Sequence, residues 1–390
     1  MAYNRRGFLK TLALTSLALG ASNHLLAADK TEHTKLKGAD NAKNLDKIKE
    51  KQMRVLGNSG IKVSPLGLGC MSMTYALGPA SDKKDMVKLI HQAVDLGVNF
   101  FDTAEVYGPF SSEEYVGEAF KKSSLRQKVV IATKFGVHYR RVNGTNKQVM
   151  DSQPNEIRRS IDGSLYRLKT DYIDLYYQHR IDPNVPIEEV AGVIESLIKE
   201  GKIRAWGLSE AGVQSIKKAH KIVPLSAVQS EYSLWWREPE KSLFSLLKEL
   251  NIALVPFSPM GKGYLTGSLT KNSTFQKGDL RPQFPRFSKE NLEKNRKLID
   301  FIQSVAQSKK INGKSATNAQ IALAWLLAQG DFIIPIPGTT KLAHLKENLD
   351  SLQIHFGSQE LQEFNAKLDK IEISGNRYPA GSDMAKRVGK

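Results

Sequence analysis

With 390 residues, 41% of them hydrophobic and 25% charged, the chain has the composition of a soluble globular protein, which excludes a collagen, a coiled coil and wholesale disorder. The net charge of +17 raises the question of nucleic acid, but lysines and arginines alternate with acids at helix-like spacing, as in LIKEGKIR and SKENLEKNRKLIDF. No nucleic-acid motif accompanies them, so the excess reads as a solvated basic surface. Cys70, the single cysteine, excludes an intramolecular disulfide and a cysteine-rich metal site, and its apolar setting in PLGLGCMSM reads as a buried thiol.

The first 28 residues have a basic start, an apolar stretch from Thr11 to Ala21 and small residues at Ala27 and Ala28, the pattern of a signal peptide. The stretch is too short to span a bilayer. Arg5 and Arg6, followed by Gly7, Phe8, Leu9 and Lys10, resemble a twin-arginine signal, although Asn4 departs from the usual hydroxyl residue and Leu26 is large for its place before the cleavage site. The expectation is export to the periplasm by the Tat translocase, with the protein folded and its cofactor loaded beforehand. Residues 29–52 are rich in charge and poor in large apolar groups, and read as a linker.

From Met53 the pattern is regular. Two alternating runs flank Gly57-Asn58-Ser59-Gly60, predicting a hairpin. Eight short apolar runs follow: PLGLGC, VNFFDTA, VVIATK, IDLYYQH, IRAWGLS, SAVQSEY, IALVPFS and FIIPIPG. Segments of helical periodicity separate them, such as KKDMVKLIHQAVDLG and PIEEVAGVIESLIKEG, with Gly97 and Gly201 where helix C-caps belong.

Strand–helix alternation repeated eight times predicts a (β/α)8 TIM barrel over 53–355, with an N-terminal β-hairpin and long loops at the C-terminal rim, then a C-terminal helix and tail over 356–390. A doubly wound sheet is the rival, but Gly67 and Gly69 lack the third glycine of a dinucleotide fingerprint, and Gly313-Lys314-Ser315 lacks the first glycine of a P-loop. Two connections are long. Residues 260–290, after the seventh strand, read as a lid over the cofactor, and residues 135–153 form the second.

Chemistry gathers at strand ends. Asp102, Lys134 and His179 each close an apolar run, and Tyr107 lies five residues past the aspartate in FDTAEVYG. A phenol beside an ammonium becomes a better acid, because the positive charge favours the phenolate. Lys134 supplies that charge, Asp102 fixes the lysine, and His179 donates to a carbonyl oxygen, leaving Tyr107 as the proton donor. Reduction also needs hydride. No HxH, HxxxH or HExxH spacing, flavin motif or reactive cysteine is evident, so nicotinamide is the economical source. Tyr75, Phe110, Tyr139, Trp235 and Trp236 also follow strand ends; they wall an apolar substrate pocket or simply pack.

The motifs FDTAEVYG, ATK, DLYYQHRIDP, WGLSE, VQSEYSL, VPFSPMGKGYLTG and IPGTTKLAHLKENL resemble those of the aldo-keto reductase family, bacterial NADP-dependent members among them. The resemblance puts the family's catalytic set on Asp102, Tyr107, Lys134 and His179. It implies that Ser209, Gln229 and Glu210, the last where many members carry Asn, hold the nicotinamide carboxamide, with Met71 and Asp102 nearby and Phe257 stacked on the ring. Ser258, Met260 and Lys262 would follow the pyrophosphate, and Gly338, Thr340, Lys341, His344, Glu347 and Asn348 would bind the adenosine end. Lys341 and His344 are cations near a helix start and suit a 2′-phosphate, which favours NADP over NAD.

The expected partner is a small aldehyde or ketone, with neither nucleic acid nor stable membrane insertion, in a monomer or weak oligomer. Two other readings exist: a nucleotide-binding regulatory subunit resembling potassium-channel β subunits, and a barrel isomerase or sugar-binding protein without nucleotide.

Overall fold

The computed structural model describes residue 48 and residues 52–389. The residues read as a twin-arginine signal peptide, and nearly all of those read as a linker, lie outside the described residues. Among the described residues, no helix is long and apolar enough to cross a membrane.

The hairpin forms as expected: β1 (Arg54–Val55) and β2 (Lys62–Val63) pair antiparallel around a 3-10 turn at Gly57–Ser59. Next come β3 (Leu68–Gly69), β4 (Phe100–Asp102) and β5 (Val130–Phe135). Residues read as the second long connection are instead an antiparallel hairpin, β6 (Val137–Val142) with β7 (Thr145–Met150), turning at Asn143 and Gly144, both with φ positive. Then follow β8 (Ile173–Gln178), β9 (Ile203–Ser209), β10 (Ala227–Glu231) and β11 (Ala253–Phe257). Seven of these strands form one parallel sheet in the order β3-β4-β5-β8-β9-β10-β11.

The eighth predicted strand closes the ring with fewer hydrogen bonds than a regular strand. Ile334 and Ile336 donate to Leu254 and Pro256 on the β11 side, at 2.8 and 3.1 Å, while the carbonyls of Pro335 and Pro337 accept from Gly67 and Gly69 on the β3 side, at 2.9 and 3.2 Å. The prolines have no N–H to give, so only alternate residues donate. Parallel bridges at Leu254–Ile333 and Gly69–Gly338 mark its two edges. The architecture is a (β/α)8 barrel.

Two apolar layers follow from the period-2 alternation of the strands. Phe100, Val130, Ala132, Leu175, Tyr177, Val255, Ile334 and Ile336 fill the barrel, joined by Leu56 and Val63 of the N-terminal hairpin. The other strand faces meet the helices through residues such as Phe101, Ile131, Tyr176, Trp206 and Leu254.

Most of the longer helices are amphipathic, and they start and stop where their sequences dictate. Lys83–Asp95 begins on Asp82, whose carboxylate accepts from Lys84 and Asp85 backbone N–H at 2.8 and 3.2 Å. It ends at Gly97, with φ +93, and Ile187–Lys199 ends likewise before Gly201, with φ +74. Asn318–Ala328 opens with a Thr317–Gln320 capping box and is buried almost all round, between the helices Arg296–Ser308 and Leu342–Asp350. With the hairpin at the N-terminal ends of the strands, the C-terminal ends are left to carry the site.

Candidate active site

Asp102 ends β4, and its register partner on β5 is Ala132. Lys134 lies two residues further along β5 and so points to the same interior face. Its ammonium, fully buried, lies 2.5 Å from Asp102 Oδ1 and donates to the Thr103 carbonyl at 2.7 Å. Gln229 on β10 donates to the other carboxylate oxygen at 2.8 Å. Burial works against a charged lysine here, but Asp102 and Tyr107 more than offset it, and the Lys134 pKa stands above its ordinary value.

Tyr107 reaches this pair from the turn after β4. Gly108 makes the turn possible with φ +73, and a Cβ there would lie 2.2 Å from Ser111 Oγ. The Lys134 ammonium sits 5.0 Å from the Tyr107 ring centre and acts on its hydroxyl by charge and hydrogen bonding. The sequence reading has the ammonium lowering the phenol pKa. In the structure burial is the larger effect, Lys134 offsets only part of it, and the pKa is raised. Tyr107 is therefore a protonated phenol at neutral pH.

His179 follows β8, its ring edge-on to Tyr107 at 5.7 Å. Burial, then the charges of Arg180 and Lys134, hold its pKa well below the usual value, so the imidazole is neutral. Its Nδ1 is buried without a hydrogen-bond partner in the protein.

Asp102, Tyr107 and His179 line a cavity of about 930 Å³, and Lys134 lies beneath its floor. The wall includes Met71, Ser209, Gln229, Phe257, Ser258, Met260 and Lys262. Further along it come Gly338, Thr340, Lys341, His344, Glu347 and Asn348. Lys341 is the N-cap of the helix Leu342–Asp350, and Asn348 Nδ2 is buried with no partner in the protein. A lysine at a helix start and an unsatisfied donor in one long hollow fit an anionic dinucleotide.

Residues 260–290, read as a lid, form three 3-10 turns, Gly261–Thr266, Arg281–Gln283 and Pro285–Phe287. They contribute Gly263, Thr266, Gln276, Leu280 and Phe284 to the wall. Leu280 N–H donates to the Ala76 carbonyl at 2.9 Å, so the segment joins the loop after β3.

Several expected wall residues stand elsewhere. Glu210, with φ +57, gives its carboxylate to Arg377 at 2.5 Å and to the Glu231 N–H at 2.8 Å, and is absent from the cavity wall. Trp235 is buried, stacked on Tyr264 at 4.7 Å and edge-on to Phe287, because it follows a strand that turns into the helix layer. Trp236 packs beneath the guanidiniums of Arg286 and Arg377, at 4.8 and 5.3 Å. Phe110, 45% exposed, lies against Arg167 at 4.4 Å. Tyr139 is on β6 and lines a neighbouring hollow with Glu105 and His138, touching the site through its hydroxyl, 2.8 Å from that of Tyr75 and accepting from Gln148 Nε2 at 3.0 Å. Of the five aromatics, only Tyr75 lines the cavity, stacked on Tyr107 at 6.0 Å.

Other wall residues were not anticipated: Arg180, Gln148 of β7, Arg281, and Tyr378, Met384 and Arg387 from the C-terminal tail. The tail is anchored by Arg377, which donates to Glu210 at 2.5 Å and to Glu231 at 2.6 Å. Burial opposes the Glu231 charge, but Arg377, Lys262 and Arg286 overcome it and bring the pKa down to about 2.

A (β/α)8 barrel with a buried Asp–Lys pair under a tyrosine and a neutral histidine, at the floor of a dinucleotide-sized hollow, defines an oxidoreductase-type site. The chain belongs to the aldo/keto reductase family, whose pattern it matches over residues 65–369. It is 40% identical over 328 residues to probable aldo-keto reductase 1 of Glycine max, an alignment covering 84% of this chain and 92% of that protein. It is 39% identical over 332 residues to the aldo-keto reductase yakc [NADP(+)] of Schizosaccharomyces pombe, covering 84% and 95%. Among solved structures it is similar to the glycerol dehydrogenase of Gluconobacter oxydans, with a TM-score of 0.74 and 30% identity over 84% of this chain and 98% of that one.

Proposed function

We propose that this protein reduces an aldehyde or ketone with NADPH, Tyr107 supplying the proton. The observation that carries this reading is Tyr107 in the cavity wall, its ring centre 5.0 Å from the buried, Asp102-paired Lys134 ammonium beneath the floor. Bound nicotinamide supplies the hydride that becomes the new C–H bond at the carbonyl carbon. The chain's own residues do the rest. His179, neutral, donates to the carbonyl oxygen and orients it. As negative charge builds on that oxygen, the Tyr107 O–H bond breaks and its proton passes to it, giving the alcohol. The electron pair left on Tyr107 is stabilised by Lys134, and solvent returns the proton.

Support for NADP comes from Lys341 and His344 at a helix start, from the unpaired Asn348 amide, and from the NADP(+) in the name of the fission-yeast relative. Gln229 donates to Asp102 and, with Ser209, lines the cavity, where the two suit a carboxamide. We further propose, from the N-terminal residues, that a bacterial cell exports the protein through the twin-arginine pathway to the periplasm.

Tyr107→Phe tests the reading. The variant keeps NADPH binding, read by nucleotide fluorescence, and loses about 10²-fold or more of its turnover of a reactive aldehyde. Unchanged turnover removes Tyr107 as the donor.

A further inference from the structure

Two guanidinium groups line the cavity without a carboxylate in ion-pair contact among the described residues. Arg180 directly follows His179, and its Nη1 donates to the His179 carbonyl at 2.5 Å and to Ser209 Oγ at 3.1 Å. Arg387 arrives from the C-terminal tail and donates to the Gln148 side-chain oxygen at 3.3 Å and to its carbonyl at 2.9 Å. Both line the cavity. Among the described residues neither is ion-paired, whereas the rim cations Arg377, Lys262, Arg286 and Arg281 all are. Asp383, whose charge reaches Arg387, is 3.8 Å from Lys386.

The two arginines sense each other. Burial lowers the Arg387 pKa, Asp383 counters it, and the charge of Arg180 lowers it further. Like charges at the wall of one half-desolvated hollow are unfavourable unless an anion joins them, and the planar guanidinium fork matches carboxylate and phosphate oxygens. The phosphates of a dinucleotide have partners elsewhere: Lys262 lies on the segment after β11, and Lys341 and His344 follow the closing segment. Arg180 instead follows β8, beside His179, and its charge acts on Tyr107. Gln148, which Arg387 holds, donates at 3.1 Å to the hydroxyl of Tyr75, the ring stacked on Tyr107.

Resting on the reductase reading above, we infer that the carbonyl substrate carries an anionic group, carboxylate or phosphate, which Arg180 and Arg387 hold while its carbonyl meets Tyr107. The pair acts mainly on affinity, since the anion is remote from the bond being formed and is bound equally before and during reaction. The tail is then part of substrate selection, because one of its two cations comes from residue 387.

The full chain is assayed with NADPH against 4-formylbenzoate, 4-formylphenyl phosphate and the neutral methyl ester of 4-formylbenzoate. At least one anion is used about tenfold or more better than the ester in kcat/KM, the difference lying in KM, and which anion wins identifies the group. Arg387→Gln and Arg180→Gln each reduce that anion-to-ester ratio about fivefold or more, and Arg387→Lys, which keeps a charge without the fork, falls between. Equal use of all three aldehydes, or a ratio that neither glutamine variant moves, overturns the anion subsite and leaves the reductase reading standing. Calorimetric titration with 4-formylbenzoate separates the two ideas: binding that depends on Arg387 without any turnover keeps the subsite and overturns the reductase reading.

Discussion

Lys134 and Asp102 occupy neighbouring parallel strands, and the ammonium reaches back along the barrel interior to close a 2.5 Å ion pair in which the lysine is fully buried and the aspartate nearly so. A charge so enclosed survives only while its partner stays ionised, since breaking a buried pair costs about 3–5 kcal/mol. The proton donor above it depends on that survival.

The pH profile of reduction follows from the three shifts. His179 titrates well below its usual value, and Tyr107 and Lys134 titrate above theirs. kcat/KM is therefore expected to be flat from about pH 6.5 to about pH 9, the ordinary histidine and tyrosine values bounding the range from outside. Asp102→Asn removes what holds the lysine charged. Burial then lowers the Lys134 pKa, and an alkaline loss of activity moves into that window. An acid limb centred near pH 6.5 in the parent protein contradicts the assignment of a neutral His179.

Lys341→Glu separates the two nicotinamide cofactors. NADPH affinity is expected to fall about tenfold or more, while NADH affinity changes much less, because only the former carries a phosphate for the helix start to hold. Equal loss for both in fluorescence titration disproves a 2′-phosphate role for this lysine.

Arg377→Met tests the anchor of the tail. Glu231 has a folded pKa of about 2 against an ordinary value near 4.5, so its ion pairing adds stability that is fully present above that ordinary value and is lost as pH falls toward 2. Without Arg377 two buried carboxylates lose their closest cation, at a cost of about 3–5 kcal/mol near neutrality. The deficit in thermal melts shrinks at mildly acidic pH, where a less stabilised carboxylate takes up a proton. A deficit independent of pH between 4 and 7 counts against the ion-pair account.

Arg5→Lys with Arg6→Lys tests the export proposal. The doubly substituted chain is expected to accumulate in the cytoplasm, followed by fractionation and immunoblotting. Undiminished arrival in the periplasm removes the twin-arginine route.

The fold was legible where periodicity is strong. Eight apolar runs give the barrel, and only the last is irregular, because Pro335 and Pro337 withhold the donors of a regular ladder. The hairpin within residues 135–153 was also legible in principle. Asn143-Gly144 is a two-residue turn signal, but its flanks, VHYRRV and TNKQVM, lack the apolar alternation of a core strand.

The site was legible where strand ends carry it. Asp102, Lys134, His179 and Ser209 sit at or next to the ends of four consecutive barrel strands and Phe257 ends β11, and a parallel ring brings such ends together. What stayed hidden depends on tertiary contact. No local pattern says that Arg377 would cross 167 positions to occupy Glu210, or that Arg387 would settle on Gln148, 239 residues away. The aromatics failed for a related reason. A ring after a strand is equally suited to a pocket wall and to the helix layer, and only the direction of the following turn sends Trp235 into the latter.

Where the ring of strands meets itself, half the usual donors are missing, and the same stretch of chain leads straight into Gly338 and Lys341. A cylinder opens first at its sparsest suture, so amide exchange in the apo protein should begin with Gly67 and Ile334. A dinucleotide gripping the end of that suture would lace it shut, making ligand occupancy and resistance to unravelling two readings of one event.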